Sequence, residues 1–229
     1  MEQIKQKEKK REPIDEVYYF RDGKEFRITE NDEGLLSIVV KDGDKIIIDF
    51  ERLLADGYKF VAEPYVRRLE QETGKKIWSD WQVDQNYKLV ELGHFDGVED
   101  ILGLLHEIGH MHLDQNSKEQ KIIKRITEKY QAYSKAHRFS WDEGLIAHKV
   151  IARQESVRER RAWAYAVEVM KNFKHLYGLD IKEVFPSFES LKIYINDALS
   201  SYREHYENLV SLDPNFEDEL RRLFDKPNK

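Results

Sequence analysis

The sequence predicts an α+β protein in which a small antiparallel sheet packs against a mostly helical part. Alternating apolar residues and Asp-Gly turns run through about residues 14–92, and helical periodicity runs through about residues 97–229. A chain of 229 residues is long enough to bury a substantial core. We therefore expect residues 14–229 to form one domain. Residues 1–13 are highly charged, end in Pro13 and are predicted to be a flexible tail.

Two β-hairpins are predicted in the N-terminal part. Their strands alternate in polarity and are rich in β-branched and aromatic side chains. The turns between them are Asp22-Gly23 and Asp42-Gly43-Asp44, because an Asp-Gly pair favours tight hairpin turns. The predicted strands are residues 17–20, 26–29, 36–40 and 45–50.

The rest of the chain is predicted to be mainly helical. A helix is expected from Phe50 to Glu72, with Gly57 or Pro64 as the points where it could break. Residues 87–92 alternate in polarity and predict a strand just before the first long helix. Later helices are predicted from Ser117 to about Ala136, from Ser140 to about Gly178, from near Ser187, and after Asn215.

Composition excludes several classes of function. The net charge is -6 and 36% of the residues are charged, which gives no electrostatic argument for direct binding to nucleic acid. No apolar run is long enough for a membrane span, and the N-terminus lacks the apolar segment of a secretory signal. We therefore expect a cytoplasmic protein without a membrane partner. Because the chain has no cysteine, any metal site must use histidine and carboxylate ligands.

Residues 106–110, His-Glu-Ile-Gly-His, match the HExxH pattern on a predicted helix, which is typical of zinc peptidases. His106 and His110 lie about 40° from each other around the helix, so both can bind one metal ion. Glu107 lies about 100° from His106 and can act on a water at the metal without binding the metal itself. The two histidines lie at the edge of an apolar arc made of Val98, Ile101, Leu102, Leu105, Ile108 and Met111.

Three other residues of this helix carry predictions. His112 lies about 240° from His106, in the centre of the apolar arc, so it is expected to be buried and not to bind the metal. Gly103 and Gly109 each cost about 1 kcal/mol relative to alanine inside a helix. We expect these glycines to allow close approach of neighbouring elements.

A catalytic zinc ion needs a third protein ligand. The HExxHxxGxxH pattern is excluded, because Leu113 and Asn116 occupy the positions of its glycine and its third histidine. A carboxylate from a later helix is the alternative, and Glu155 and Glu159 lie on one stripe of that helix. The other members of the stripe are His148, Ala152, Trp163, Ala166 and Met170.

Periodicity leaves Glu155 and Glu159 nearly equal as third ligand. A close helix crossing at the metal favours small residues, and Ala162 and Ala166 follow Glu159 on the same side of the helix. Arg158 has the corresponding position after Glu155 and would crowd such a crossing. We therefore expect Glu159 to be the ligand and Glu155 to lie behind the ligands, where it could orient an imidazole.

The HEIGH segment and the later helix together resemble the ImmA/IrrE family of metallopeptidases, within the wider gluzincin group. The resemblance covers about residues 87–170, and in the later helix it is carried by Glu159, Ala162, Tyr165 and Ala166. It implies a zincin-like metallopeptidase domain with one zinc ion and with Glu107 as general base. The metal ligands that it implies are His106, His110 and Glu159.

The chain also departs from the family pattern. Trp163 occupies a position that is often polar in the family, and no Met-Pro follows Met170. His110 and Glu159 are 49 residues apart, which is a long spacing, and the charged helix at 117–136 accounts for the added length. Family members often cleave a DNA-binding repressor, but this sequence carries no recognisable helix-turn-helix or sensor domain, so that role is not carried over.

The sequence thus predicts a zinc-dependent endopeptidase that hydrolyses a peptide bond in a cytoplasmic protein or peptide. The alternative is a catalytically weak or inactive zincin-fold regulatory or binding module, related to phage or toxin–antitoxin proteins. A purely structural zinc site is disfavoured, because such sites prefer cysteine and fill all four positions with protein ligands. An extended substrate could pair with the edge of strand 87–92. Candidate oxyanion donors are His148, Tyr165, Tyr202 and His205.

Overall fold

The computed structural model describes residues 12–74, 81–114, 117–135, 141–206 and 214–225. These residues form an α+β structure with two β-sheets and seven α-helices, which confirms the predicted fold class. Most of the predicted tail, residues 1–11, lies outside the described residues.

The first sheet contains the two predicted hairpins joined into a four-stranded antiparallel meander, in the order β1-β2-β3-β4. Gly23 and Gly43 have φ angles of 86° and 58°, which glycine adopts at no steric cost and which tight turns require. The strands are β1 (Asp15–Tyr19), β2 (Glu25–Glu30), β3 (Leu36–Asp42) and β4 (Lys45–Asp49).

The second sheet lies between the first sheet and the helical part in sequence. Its strands are β5 (Lys59–Val61), β6 (Gln82–Asp84) and β7 (Leu89–Glu91). The order is β5-β7-β6, so β7 is the central strand, parallel to β5 and antiparallel to β6. The predicted strand at 87–92 is therefore confirmed as β7, whereas β5 and β6 were not predicted.

The helix predicted from Phe50 to Glu72 is wrong in its first half. Phe50–Leu53 forms a short 3-10 helix, Gly57 has a φ of 81°, and β5 follows before any α-helix begins. Helix α1 (Glu63–Thr73) starts only at Glu63, with Pro64 in its first turn. Proline is tolerated there because the first N–H groups of a helix have no intrahelical partner.

The helical part begins with α2, which carries the HExxH segment, and the much longer α4 packs along it. At 37 residues α4 spans about 55 Å. The short helix α5 was not predicted. The elements are α2 (Asp100–Leu113), α3 (Lys118–Lys135), α4 (Trp141–Tyr177), α5 (Ile181–Val184), α6 (Phe188–Tyr206) and α7 (Pro214–Asp225).

The main hydrophobic core takes side chains from the first sheet and from the helices. The ring of Phe50 lies 6.2 Å from that of Phe26 on β2 and 5.9 Å from that of Phe173 on α4. Helix α2 contacts α4 and also contacts β6 and β7 of the second sheet. Helix α2 is thus fixed between the second sheet and α4. Among the described residues, no helix combines the length and apolarity that crossing a bilayer requires.

Candidate metal centre

Three buried side chains converge where α2 crosses α4. The Nε2 atoms of His106 and His110 lie 3.0 Å apart. Glu159 Oε2 lies 3.1 Å from His106 Nε2, and Glu159 Oε1 lies 3.2 Å from His110 Nε2. One ligand atom from each residue thus falls within a single small sphere, and the group could hold a metal ion.

Two glycines allow the elements around this group to approach closely. A Cβ at Gly109 would lie 3.0 Å from Tyr165 Cδ1 and 3.1 Å from the backbone oxygen of Ala162 on α4. A Cβ at Gly103 would lie 3.0 Å from the Tyr194 hydroxyl. Both glycines therefore do what the sequence analysis expected, and Ala162 is one of the small residues predicted at the crossing.

The donor set suits a metal ion. Two imidazole nitrogens and one carboxylate are ligands that divalent metal ions use in proteins. Glu159 is 2% exposed, and the groups that face its two carboxylate oxygens are the imidazoles of His106 and His110. A buried carboxylate in this position needs a positive charge beside it. The three residues therefore fit a divalent metal ion.

The electrostatics of the metal-free group show how strongly its members interact. Burial opposes ionisation of Glu159, but His110 and His106 outweigh it and hold the pKa of that carboxyl well below its usual range. Burial alone would lower the pKa of His110, but the Glu159 and Asp114 carboxylates raise it to about 10. The Glu159 carboxylate and the two imidazoles therefore stabilise each other's charged forms.

Glu107 lies beside the group without joining it. Its Oε1 is 4.0 Å from His106 Nε2, and the side chain lines an adjacent cleft. Burial raises the pKa of the Glu107 carboxyl, against the opposing effect of His106 and His110. A carboxylate whose pKa is raised accepts a proton more readily than an ordinary one.

Asp114 orients His110, and the sequence analysis missed it. His110 Nδ1 lies 2.8 Å from Oδ2 of Asp114, the residue that caps the C-terminal end of α2. Arg158 Nε donates to the same carboxylate oxygen at 3.0 Å, and Arg158 Nη1 donates to Glu155. The hydrogen bonds from Glu155 toward His110 thus run through Arg158 and Asp114. The available signal was the spacing of four residues between His110 and Asp114, which puts both on one helix face.

The charged helix α3, which accounts for the long spacing, lies next to this network. Arg161 on α4 forms a 3.1 Å ion pair with Glu119. With its amide oriented to match its neighbours, Gln120 accepts hydrogen bonds from Arg158 Nε at 3.2 Å and Nη2 at 2.9 Å. The first turn of α3 thus forms one end of the site.

His112 is not where the helical wheel put it. The prediction of a buried residue is wrong: His112 is exposed, and its Nε2 lies 2.8 Å from the backbone oxygen of Leu53. It belongs to the last turn of α2, where the neighbouring surface is the polar backbone of the 3-10 helix instead of the apolar core. It is not a member of the candidate metal group.

Of the predicted oxyanion donors, only Tyr165 has a described side chain, and it does not lie at the cleft. Tyr165 packs against Gly109, its ring lies 6.0 Å from that of His112, and it is not among the residues that line the cleft. His148 belongs to α4, and Tyr202 and His205 belong to α6, but their side chains lie outside the described ones.

A cleft of about 480 Å³ leads to the metal group. One wall is strand β6 with the turn that follows it, and the other walls come from α2, α3 and α4. Since β7 pairs with β5 and β6 on its two sides, the prediction that 87–92 offers a free edge is wrong. The strand at the cleft is β6. The lining residues are Trp81, Gln82, Val83, Asp84, Gln85, Asn86, Glu107, His110, Asp114, Gln120, Glu155, Arg158 and Glu159.

Comparison of the chain with protein-family models, with curated proteins and with solved structures found no match. The similarity to the ImmA/IrrE family therefore rests on the motif residues alone. The function of the chain has to be inferred from these residues and from the geometry of the site.

Proposed function

We propose that this chain is a zinc-dependent endopeptidase of the gluzincin type, similar to the ImmA/IrrE family. It would hydrolyse a peptide bond in a cytoplasmic protein or peptide. One observation carries the proposal: a buried His106–His110–Glu159 group opens onto a cleft in which Glu107 stands beside it.

Zinc is the metal that this donor set favours. A site with two histidines and one carboxylate, without cysteine, is typical of catalytic zinc, whereas structural zinc sites are closed by four protein ligands. The cleft beside His110 and Glu159 supports a catalytic site, because it gives a substrate access to the open position. The zincin-like fold is part of the proposal, and its support is the sheet β5-β7-β6 packed on the HExxH helix.

The residues of the chain divide the chemistry between them. When bound, zinc acts as a Lewis acid toward a carbonyl oxygen and lowers the pKa of water to about 7. His106, His110 and Glu159 would hold the ion. Glu107 would take a proton from the attacking water as general base and deliver it to the leaving amine, and its raised pKa suits both steps.

The substrate would bind as an extended segment along β6. In the described part of the chain, β6 is the outer strand of the order β5-β7-β6, and an extended peptide can pair with an outer strand through backbone hydrogen bonds. The side chains of this strand and the turn that follows it line the cleft that leads to Glu107.

The proposal is tested by metal content and cleavage in one preparation. We expect purified protein to hold close to one zinc ion per chain. It should cut members of a peptide library, lose that activity with a chelator and regain it with added zinc. Zinc binding without cleavage of any peptide would contradict the enzyme and favour the regulatory module. Cleavage that resists the chelator would contradict the metal mechanism.

A further inference from the structure

The two imidazoles of the candidate metal group are held by different means. His110 has a carboxylate partner on its second ring nitrogen, at Asp114. His106 has none, since its Nδ1 is buried and has no hydrogen-bond partner among the described residues. Its ring instead lies on the indole of Trp163, with ring centroids 4.0 Å apart and planes inclined by 27°.

We propose that Trp163 is a positioning residue that fixes the ring plane of His106 by stacking. The inference rests on the proposed function in one respect, that His106 is a metal ligand. Metal-binding imidazoles are usually oriented by a hydrogen bond from the ring nitrogen that does not face the metal. Here a flat aromatic face at van der Waals distance takes over that task for His106.

Stacking can restrain the ring because the torsion that turns it is soft. Rotation of an imidazole about its Cβ–Cγ bond has broad energy wells, so a buried ring without a hydrogen bond needs another restraint. Turning His106 out of its present plane would drive ring atoms into Trp163. Binding a cation through Nε2 also makes the imidazole electron-poor, which strengthens its attraction to the indole face.

Trp163 is itself held rigidly. Its side chain is 3% exposed, and the ring of Tyr194 meets it edge-on, with centroids 6.2 Å apart and planes at 83°. The Tyr194 hydroxyl donates a 2.8 Å hydrogen bond to Asp100 Oδ1, in the first turn of α2. The chain of contacts therefore begins and ends on α2. Trp163 follows Glu159 by one turn of α4. The same turn therefore carries one proposed metal ligand, Glu159, and the residue that stacks on another, His106.

The first test compares two substitutions of Trp163 by their zinc affinity, measured by competition with a chromophoric chelator. Trp163→Phe keeps an aromatic face, whereas Trp163→Met fills much of the space without one. We expect Trp163→Met to weaken zinc binding about tenfold, the lower end of the range for partners behind a metal ligand, and Trp163→Phe to stay within about threefold. Circular dichroism and thermal melting show that each variant is folded.

The second test is spectroscopic and needs only the wild type and Trp163→Phe. Zinc binding to the stacked imidazole should change the fluorescence of Trp163, so a zinc titration of the wild type should show a saturable change. Trp163→Phe should lose most of that change while it still binds zinc. Cobalt-loaded protein adds a second readout, since the visible spectrum of the bound ion should shift in Trp163→Met and not in Trp163→Phe.

Equal zinc affinity of wild type and Trp163→Met would overturn the inference. So would an equal loss of affinity in Trp163→Phe and Trp163→Met, which would indicate general packing. If Trp163→Met does not fold, an undiminished fluorescence change in Trp163→Phe would overturn it. Zinc binding without peptide cleavage would contradict only the proposed function, whereas a wild type that binds no zinc would overturn both.

Discussion

Glu159 would be a costly residue to bury without the two histidines beside it. The residue is 2% exposed, and His110 and His106 bring the pKa of its carboxyl down. Removing one member of a buried charged group leaves the others without compensation. The arrangement therefore fits a site in which a metal ion compensates the negative charge of the carboxylate.

The choice of Glu159 over Glu155 as the third metal ligand gives a prediction for these two residues. Glu159→Ala should abolish stoichiometric zinc binding, because it removes a ligand that touches both imidazoles. Glu155→Ala should weaken zinc binding by about 10–100-fold at most, since Glu155 is not a member of the group and donates no ligand atom, but holds Arg158 beside it. Zinc content after gel filtration and competition titrations would measure both. A greater loss of metal in Glu155→Ala would move the ligand to Glu155.

A proton should leave His110 when zinc binds. In the metal-free protein the pKa of His110 is raised to about 10, so the imidazole is charged at neutral pH. A metal ligand must be neutral, so zinc affinity should rise with pH from about 6 to 9 and binding should release close to one proton. The raised pKa also contributes to metal-free stability below the unfolded pKa of histidine, and that contribution is lost as pH rises toward about 10.

Calorimetry in buffers of different ionisation enthalpy counts the released protons. Asp114→Asn is the matched variant, because it weakens one of the carboxylate effects that raise the pKa of His110. It should release fewer protons at the same pH. An affinity for zinc that does not change with pH would contradict this account.

Elements with a long regular pattern could be predicted from the sequence, whereas of the three-residue strands only β7 was predicted. The meander β1–β4 and helices α2 and α4 carry enough residues for their periodicity to stand out. Strands β5 and β6 have three residues each, and their pairing with β7 joins distant parts of the chain. The pattern around Phe50 is apolar enough for a helix, but tertiary pairing decides its structure.

The residues of the candidate site also fall into two classes: local patterns predict some, and tertiary contacts decide the others. The local motif indicated His106 and His110, and the small residues beside Glu159 indicated which acid faces them. Asp114 was missed, although its spacing was visible, because its contact with Arg158 depends on how α2 and α4 cross. His112 was misplaced because a helical wheel does not show where the apolar core ends along a helix.

The α2–α4 crossing gives a prediction for the elements. Gly109→Ala should lower the free energy of unfolding by about 1–3 kcal/mol, since the new methyl group meets the backbone of Ala162, which cannot turn away. Gly103→Ala is the matched control, because its methyl group meets the Tyr194 hydroxyl and the tip of Trp81. These side chains can shift, and alanine favours the helix by about 1 kcal/mol. Urea denaturation of both variants gives the comparison. A greater loss of unfolding free energy in Gly103→Ala than in Gly109→Ala would mean that the α2–α4 crossing is not the more tightly packed contact.

At the scale of the whole molecule, the aromatic contacts of Phe50 connect the first sheet to α4. The side chain is fully buried, so Phe50→Ala should lower the free energy of unfolding by about 3–5 kcal/mol. If residues 14–229 form one domain, the sheet and the metal site should unfold in one transition in wild type and variant. Far-ultraviolet circular dichroism and zinc release during the same melt would then coincide. Two separate transitions would contradict the single domain.

The measurement that tests the central claim most directly is peptide hydrolysis by zinc-loaded Glu107→Gln beside the wild type. Glu107 lines the cleft, and the substitution removes the base while leaving His106, His110 and Glu159 in place. We predict one zinc ion per chain in both proteins and a rate lower by about 10²–10⁴-fold in Glu107→Gln. Glu99→Gln, just before α2, should keep the wild-type rate. Hydrolysis at the wild-type rate by Glu107→Gln with zinc bound would contradict the proposed mechanism.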